Sequence, residues 1–349
     1  MSKKVMIRDV AIGDGNPIAI QSMSNADSRD EKKITEQIRE LEEVGCDIIR
    51  LAVPDRESLD VFRNIRAKTD IPLVADIHFD YRLAVGSIEA GADKIRINPG
   101  NIGTLENVKK VVDAAGLRNI PIRVGVNSGS LEKDILAKNH GVTAEGLAES
   151  ALRNVKVIEG FDYDNIVVSM KSSDVRMTFE AHKIAAARTE HPFHIGITEA
   201  GTMRRGKIKS AAGIGGLLLS GIGDTIRVSL TADPVEEVRF ARELLESIGF
   251  VESRYNLISC PTCGRTRIGL EELASQVDMR LSSMDNLPEG LKIAVMGCVV
   301  NGPGESAEAD FGCCGGDGKG IIFAKGKVIK TVEEENLADE LISVIKENI

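Results

Sequence analysis

Two groups of residues in this chain have the types and spacing to do chemistry. The first is a set of thiols near the C-terminus: Cys260-Pro261-Thr262-Cys263 is a C-x-x-C turn, and Cys298 follows in the stretch Met296 to Glu305. Two thiols separated by two residues aim both sulfurs at one face of a metal or cluster. The spacings alone leave zinc and iron–sulfur open, and Cys313-Cys314 could offer a further zinc ligand, although adjacent cysteines point apart in most backbones. A redox role for the C-x-x-C turn would need a thioredoxin-like context that this segment lacks. An oxygen ligand is also open, because Glu305 follows Gly302-Pro303-Gly304, a turn able to bring its carboxylate back toward Cys298.

The second group is cationic. Arg50, Arg96, Arg123 and Arg227 each lie late in an apolar, β-branched run, and Lys171 closes another. One such arginine would read as a surface or salt-bridged residue. Recurrence at equivalent positions, where an unpaired charge is costly, reads instead as an anion site, since guanidinium forks match phosphate oxygens bidentately. Other polar residues share these run ends: Asp76 with His78, Asn98, Asn127, Glu199 and Ser229. Asp76 and Glu199 are candidates for acid/base work or for balancing the cations, and His78 for contacting substrate, for orienting Asp76 or for packing alone. His140, His182, His191 and His194 lack ligand spacing and read as surface or structural residues, and Cys46 as a small buried hydrophobe.

These positions demand a scaffold that gathers strand ends. Eight short apolar runs, Ile18–Met23, Cys46–Val53, Ile71–His78, Lys94–Asn98, Ile120–Asn127, Asn165–Ser169, His194–Glu199 and Asp224–Leu230, alternate with amphipathic stretches. That pattern predicts an α/β protein with a (β/α)8 TIM-type barrel, whose strand C-termini build the active site. Asp233 as N-cap and Pro234 at the first helical position start its last helix. An open doubly wound sheet would carry a G-x-G-x-x-G turn after its first strand, which is missing. Gly213-Ile214-Gly215-Gly216 lacks the Lys-Ser/Thr of a phosphate loop and reads as close helix packing. Past about residue 250 the composition shifts to clustered cysteines and Gly-rich turns, with Leu291–Met296 and Gly320–Phe323 as strands and Glu333–Asn348 as a helix. The expected domains are a substrate-binding barrel over 1–250 and a smaller α+β domain bearing the clustered cysteines, a zinc or iron–sulfur domain, over 251–349.

Composition narrows the partners. A net charge of −9 with no Trp and 3% aromatics argues against general nucleic-acid binding. No apolar run reaches a membrane span and no export signal is visible, so the expected address is the cytoplasm, where six cysteines serve as thiols or metal ligands.

Six segments together resemble one known family: Ser22-Met23, Lys94 to Asn101 (KIRINPGN), Arg123 to Ser130 (RVGVNSGS), Gly196 to Gly201 (GITEAG), Cys260 to Arg265 (CPTCGR) and Asn301 to Glu305 (NGPGE). It is the bacterial two-domain form of 4-hydroxy-3-methylbut-2-enyl diphosphate synthase, of the non-mevalonate isoprenoid pathway. The resemblance implies a [4Fe-4S] cluster held by Cys260, Cys263, Cys298 and Glu305, the carboxylate being exchangeable. It implies that Arg50, Arg96, Arg123, Asn127, Lys171, Arg227 and Ser229 grip 2-C-methyl-D-erythritol 2,4-cyclodiphosphate. It matches Glu199 to an acid/base carboxylate and Asn301 to a polar residue beside the cluster. The implied reaction is a two-electron reductive ring opening and dehydroxylation, fed by flavodoxin or ferredoxin, in a homodimer whose cluster domain covers the partner's barrel mouth. A pterin-type barrel transferase with a structural zinc domain is the alternative, and an iron or redox sensor a third reading that leaves the arginines idle.

Overall fold

The computed structural model describes residues 1–284, 286–298, 308–316 and 318–349. Asn301 and Glu305 lie outside the described residues. The chain divides into two compact units, Met1–Phe250 and Val251–Ile349.

The first unit opens with an antiparallel hairpin, β1 (Val5–Ile7) and β2 (Val10–Ile12), which the sequence reading had missed. Its apolar side chains Val5, Ile7 and Ile12 pack with Ala19, Ile48, Val74 and Val167 from the barrel strands. The barrel strands follow: β3 (Ala19–Met23), β4 (Ile48–Ala52), β5 (Leu73–Asp76), β6 (Lys94–Ile97), β7 (Ile122–Asn127), β8 (Ile166–Lys171), β9 (His194–Ile195) and β10 (Thr225–Ile226). All neighbours are parallel, and β10 pairs with both β9 and β3. The remaining seam, between β8 and β9, is made by a parallel bridge from Val168 to Phe193, with the Val168 amide donating to the Pro192 carbonyl at 2.9 Å. The eight expected runs are therefore the eight strands, and the last two are trimmed to two residues each. Strands covered on both faces read as unbroken apolar runs, and β8 is buried at all six positions.

Between strands, amphipathic helices bury one stripe each, as with Ile34, Ile38 and Leu41 in Glu31–Glu43. Side-chain oxygens of Asp30, Asp55, Asp80, Thr104, Thr143, Asp174 and Asp233 accept hydrogen bonds from first-turn amides. Such a cap contributes about 1 kcal/mol and ends the strand-to-helix loop at a defined point, so the mouth of the barrel is pinned residue by residue. Pro234 sits at the first turn of its helix as expected. The Gly213 to Gly216 stretch is helical, with a π-helical turn over Ala211–Gly215.

The second unit is a five-stranded sheet in sequence order: β11 (Tyr255–Ser259), β12 (Leu291–Met296) and β13 (Phe311–Gly316) run parallel, and β14 (Lys319–Ala324) and β15 (Lys327–Glu333) return antiparallel. Helices Leu270–Ser282 and Leu337–Asn348 supply Leu273, Val277, Leu281, Leu341 and Ile345 to the main core. The C-terminal helix starts four residues later than expected, because Glu333 ends β15 and a 3-10 turn over Glu334–Asn336 intervenes. No helix among the described residues is long and apolar enough to cross a membrane.

Candidate active site and thiol group

Strand twist brings the ends of β4 to β10 around one cavity of about 240 Å3, lined by Arg50, Asp76, His78, Arg96, Arg123, Gly125, Asn127, Ser169, Lys171, Thr198, Arg227 and Ser229. Every barrel residue expected to bind an anion lies in that lining. Arg96 and Arg123 are direct cross-strand partners, as are Asp76 and Arg96. Gly125 makes the packing of these chains possible: a methyl group there would stand 2.5 Å from Arg96 Nε.

Charge balance decides what the cavity can hold. Five cations face it with one carboxylate. Asp76 is buried and lies 3.2 Å from Arg96 Nη1, 3.7 Å from Arg50 Nε and 3.7 Å from His78 Nε2. Burial pushes its carboxyl up, yet Arg50, Arg96, Arg123 and His78 together outweigh that and bring it down to about 2. Glu237, from the helix behind β10, pairs with Arg227 Nη2 at 3.4 Å and accepts from the Leu230 amide at 2.7 Å. Burial lowers Arg50 to about 10 and pushes Arg123 and Lys171 well down, with the neighbouring cations adding to the effect. Arg123 is 1% exposed, and its Nε and Nη1 have no hydrogen-bond partner among the described residues. Buried guanidinium nitrogens left without acceptors are costly, and a bound polyanion would offset that cost.

Glu199 is placed differently. It is exposed, outside the cavity lining, next to Thr198, and its φ of +50° puts a non-glycine residue in the left-handed region. Sequence reasoning missed Gly125, Ser169, Thr198 and Glu237, since small residues and a helix-borne carboxylate leave no strand-end pattern. It also missed Lys94, wholly buried on β6 and donating to Gln21 Oε1 at 3.2 Å. A more open hollow of about 700 Å3 lies by the strand N-termini, lined by Met1 to Lys3, Glu159, Arg188 to His191 and Gly221 to Asp224. Its charges are mixed in sign and do not converge.

In the second unit, two parallel strands deliver thiols at their C-terminal ends. Cys260 directly follows β11, Cys298 lies two residues past β12, and the Gly297 amide donates to Cys260 Sγ at 3.3 Å. Thr266 closes the turn carrying Cys263, accepting from its amide at 3.1 Å and donating to its carbonyl at 2.9 Å. Hydrogen bonding from Arg265 lowers the exposed Cys263 thiol below its ordinary range. Among the described residues no three His, Cys, Asp or Glu side chains converge as the ligands of a single ion. Thiols on one sheet end, with an amide aimed at sulfur, suit a multi-iron group, whose ligands stand at separate corners. The other cysteines differ: burial pushes Cys46 and Cys313 up to about 12 and Cys314 to about 11. Cys313 joins the main core and Cys314 the opposite face, so the adjacent pair does point apart.

A parallel barrel with a buried cationic pocket at its strand ends, followed by a thiol-bearing mixed sheet, defines a two-domain barrel protein with a cluster of cations at the barrel mouth. Within that class the chain belongs to the GcpE family: residues 2–242 match the GcpE TIM-barrel domain and residues 256–347 the GcpE protein C-terminal domain. A 4-hydroxy-3-methylbut-2-en-1-yl diphosphate synthase (flavodoxin) of Caldanaerobacter subterraneus subsp. tengcongensis is 55% identical over 349 residues, spanning 100% of this chain and 98% of the relative. The protein of the same name from Clostridium perfringens is 54% identical over 99% of this chain and 98% of its own length. Among solved structures, dihydropteroate synthase from Stenotrophomonas maltophilia superposes with a TM-score of 0.52 at 13% identity, covering 72% of this chain and 100% of that one. The Vibrio fischeri 7,8-dihydropteroate synthase gives 0.51 at 10% identity, over 71% and 99%. This second likeness is one of barrel fold alone.

Proposed function

We propose that the chain catalyses the reductive ring opening and dehydroxylation of 2-C-methyl-D-erythritol 2,4-cyclodiphosphate to 4-hydroxy-3-methylbut-2-enyl diphosphate. The observation that carries this reading is the buried cavity in which four arginines and a lysine face one carboxylate, in a chain of this family. The pterin-type transferase with structural zinc loses its support, since relatives 53–55% identical over 99–100% of this chain carry the synthase name.

Arg96 and Arg123, side by side, grip the diphosphate oxygens with Arg50, Arg227 and Lys171 around them, and Asn127 and Ser229 give neutral hydrogen bonds that fix orientation. Asp76 holds the Arg50 and Arg96 forks in place, and a carboxyl brought down to about 2 suits that electrostatic task. His78, at the edge of this cluster, orients Asp76. In so buried a pocket, positive charge stabilises the developing negative charge more than it would in water. Glu199, exposed beside Thr198, is the proposed proton-carrying carboxylate. Cys260, Cys263 and Cys298 would hold a [4Fe-4S] cluster with Glu305 as fourth ligand and Asn301 beside it, which when bound supplies the two electrons one at a time. Flavodoxin, which the relatives' names include, is the proposed donor, with ferredoxin as the alternative. A cytoplasmic homodimer completes the proposal, and the six free cysteines agree with a reducing compartment.

The test is anaerobic: iron content together with turnover of the cyclodiphosphate, using a chemical reductant. About four irons per chain and formation of the diphosphate alcohol are expected. Iron-loaded protein that leaves the cyclodiphosphate unchanged, or a colourless zinc protein, would overturn the reading.

A further inference from the structure

His194 opens β9 below the cavity and is fully buried. Its imidazole is bracketed by two groups: Nε2 lies 3.3 Å from Lys171 Nζ, and Nδ1 lies 2.8 Å from Thr225 Oγ1 on β10. An ammonium can only donate, so a charged Lys171 requires a bare Nε2. The neutral ring then carries its proton on Nδ1 and donates it to the Thr225 hydroxyl. Burial first, then Lys171 and the cations beyond it, push His194 well down, which keeps the ring neutral. Gly196 leaves room for the ammonium at this position: a methyl group there would lie 3.0 Å from Lys171 Nζ and 2.3 Å from the Arg227 carbonyl oxygen.

The charged groups around this pair are Arg50, Lys94, Arg96, Arg123 and Arg227, with Glu237 as the counter-charge and His182, lowered to about 4 by burial, nearby. In a field of that sign an ammonium survives only with an acceptor. Resting on the diphosphate reading of the barrel mouth, we propose that His194 is a positioning residue. It accepts a hydrogen bond from Lys171, which holds that ammonium charged and aimed at the anion, and Thr225 fixes the tautomer that allows this.

The test uses the full-length, iron-loaded protein and the variants His194→Gln, His194→Leu, Thr225→Val, Lys171→Met and the double variant His194→Leu/Lys171→Met. Calorimetry reads binding of inorganic pyrophosphate, and kinetics read the pH profile of kcat/KM for the cyclodiphosphate. His194→Leu should weaken pyrophosphate on the order of tenfold, raise KM more than it lowers kcat, and move the alkaline limb about one unit to lower pH, because the ammonium loses the acceptor that favours its charged form. Gln, which can present an oxygen where Nε2 stood, should restore most of the binding. Thr225→Val should move the limb the same way, and serves if the leucine variant does not fold. Adding His194→Leu to Lys171→Met should cost nothing more. An unmoved alkaline limb, or losses that multiply in the double variant, would reduce His194 to a packing residue. If Lys171→Met itself binds pyrophosphate as wild type does, the anion-site reading fails, and this inference with it.

Discussion

The barrel unit and the C-terminal unit use the same device, the C-terminal ends of parallel strands, and arm it differently. In the barrel, seven strand ends contribute to one cavity; Arg50, Asp76, Arg96, Arg123 and Lys171 are almost wholly buried there, from Arg123 at 1% exposure to Arg50 at 9%, and Arg227 is half-buried. In the second unit two strand ends carry the thiols, one buried at Cys298, one half-buried at Cys260 and one exposed at Cys263. A cation site for a polyanion gains from low dielectric and from side chains that cannot relax, so burial strengthens it. Burial raises a thiol's pKa, as Cys46, Cys313 and Cys314 show, whereas hydrogen bonding from Arg265 lowers the exposed Cys263. On the proposed reading, anion recognition draws on the buried cations of the barrel, and metal capture on the thiols of the second unit.

The sharpest way to break that contrast is to exchange thiols within one unit. Cys298→Ala should abolish assembly of a four-iron group and with it essentially all turnover, as should Cys260→Ala and Cys263→Ala. Iron content by anaerobic metal analysis checks this, and a fully loaded Cys298→Ala protein would end the ligand assignment. A smaller effect is expected at the hub of the barrel cluster. Asp76→Asn leaves Arg50 and Arg96 without their counter-charge and should cost about 3 kcal/mol of stability, read by chemical denaturation, with pyrophosphate restoring part of it.

The wild-type carboxyl gives the same hub a pH signature. Held at about 2 against an ordinary 3.8, Asp76 contributes stability that is present above its unfolded value and is lost as pH falls from about 4 through about 2. That loss should reach about 2 kcal/mol and vanish in Asp76→Asn. The smallest effect belongs to the silent thiols: Cys313→Ala and Cys46→Ala should each cost about 1 kcal/mol in denaturation experiments and leave iron content unchanged.

The same contrast explains what could be read from the amino acids alone. Doubly covered strands are unbroken apolar runs, and a cation at the end of such a run stands out, so the eight strands and the cavity's arginines were legible. Residues that act from outside that pattern were not: Glu237 reaches Arg227 from a helix, and His194 begins a strand and works from below. In the second unit β13 reads Phe-Gly-Cys-Cys-Gly-Gly, poor in strand formers although its first five residues are buried, and β15 alternates little because six of its seven residues are exposed. The edge strand β11 and the three-residue strands β1 and β2 were too short or too mixed for a periodic signal.

The most direct test of the division of labour is a paired measurement on Arg123→Ala and Cys298→Ala: iron content, and equilibrium binding of the cyclodiphosphate. Arg123→Ala should keep its full iron and lose roughly 2–4 kcal/mol of binding, the scale for a charge-assisted contact in a closed site. Cys298→Ala should lose its iron and keep binding within a few-fold of wild type. If Arg123→Ala bound the cyclodiphosphate as tightly as wild type, or if Cys298→Ala lost binding as completely as iron, the barrel mouth would not be the anion site and the account would be contradicted.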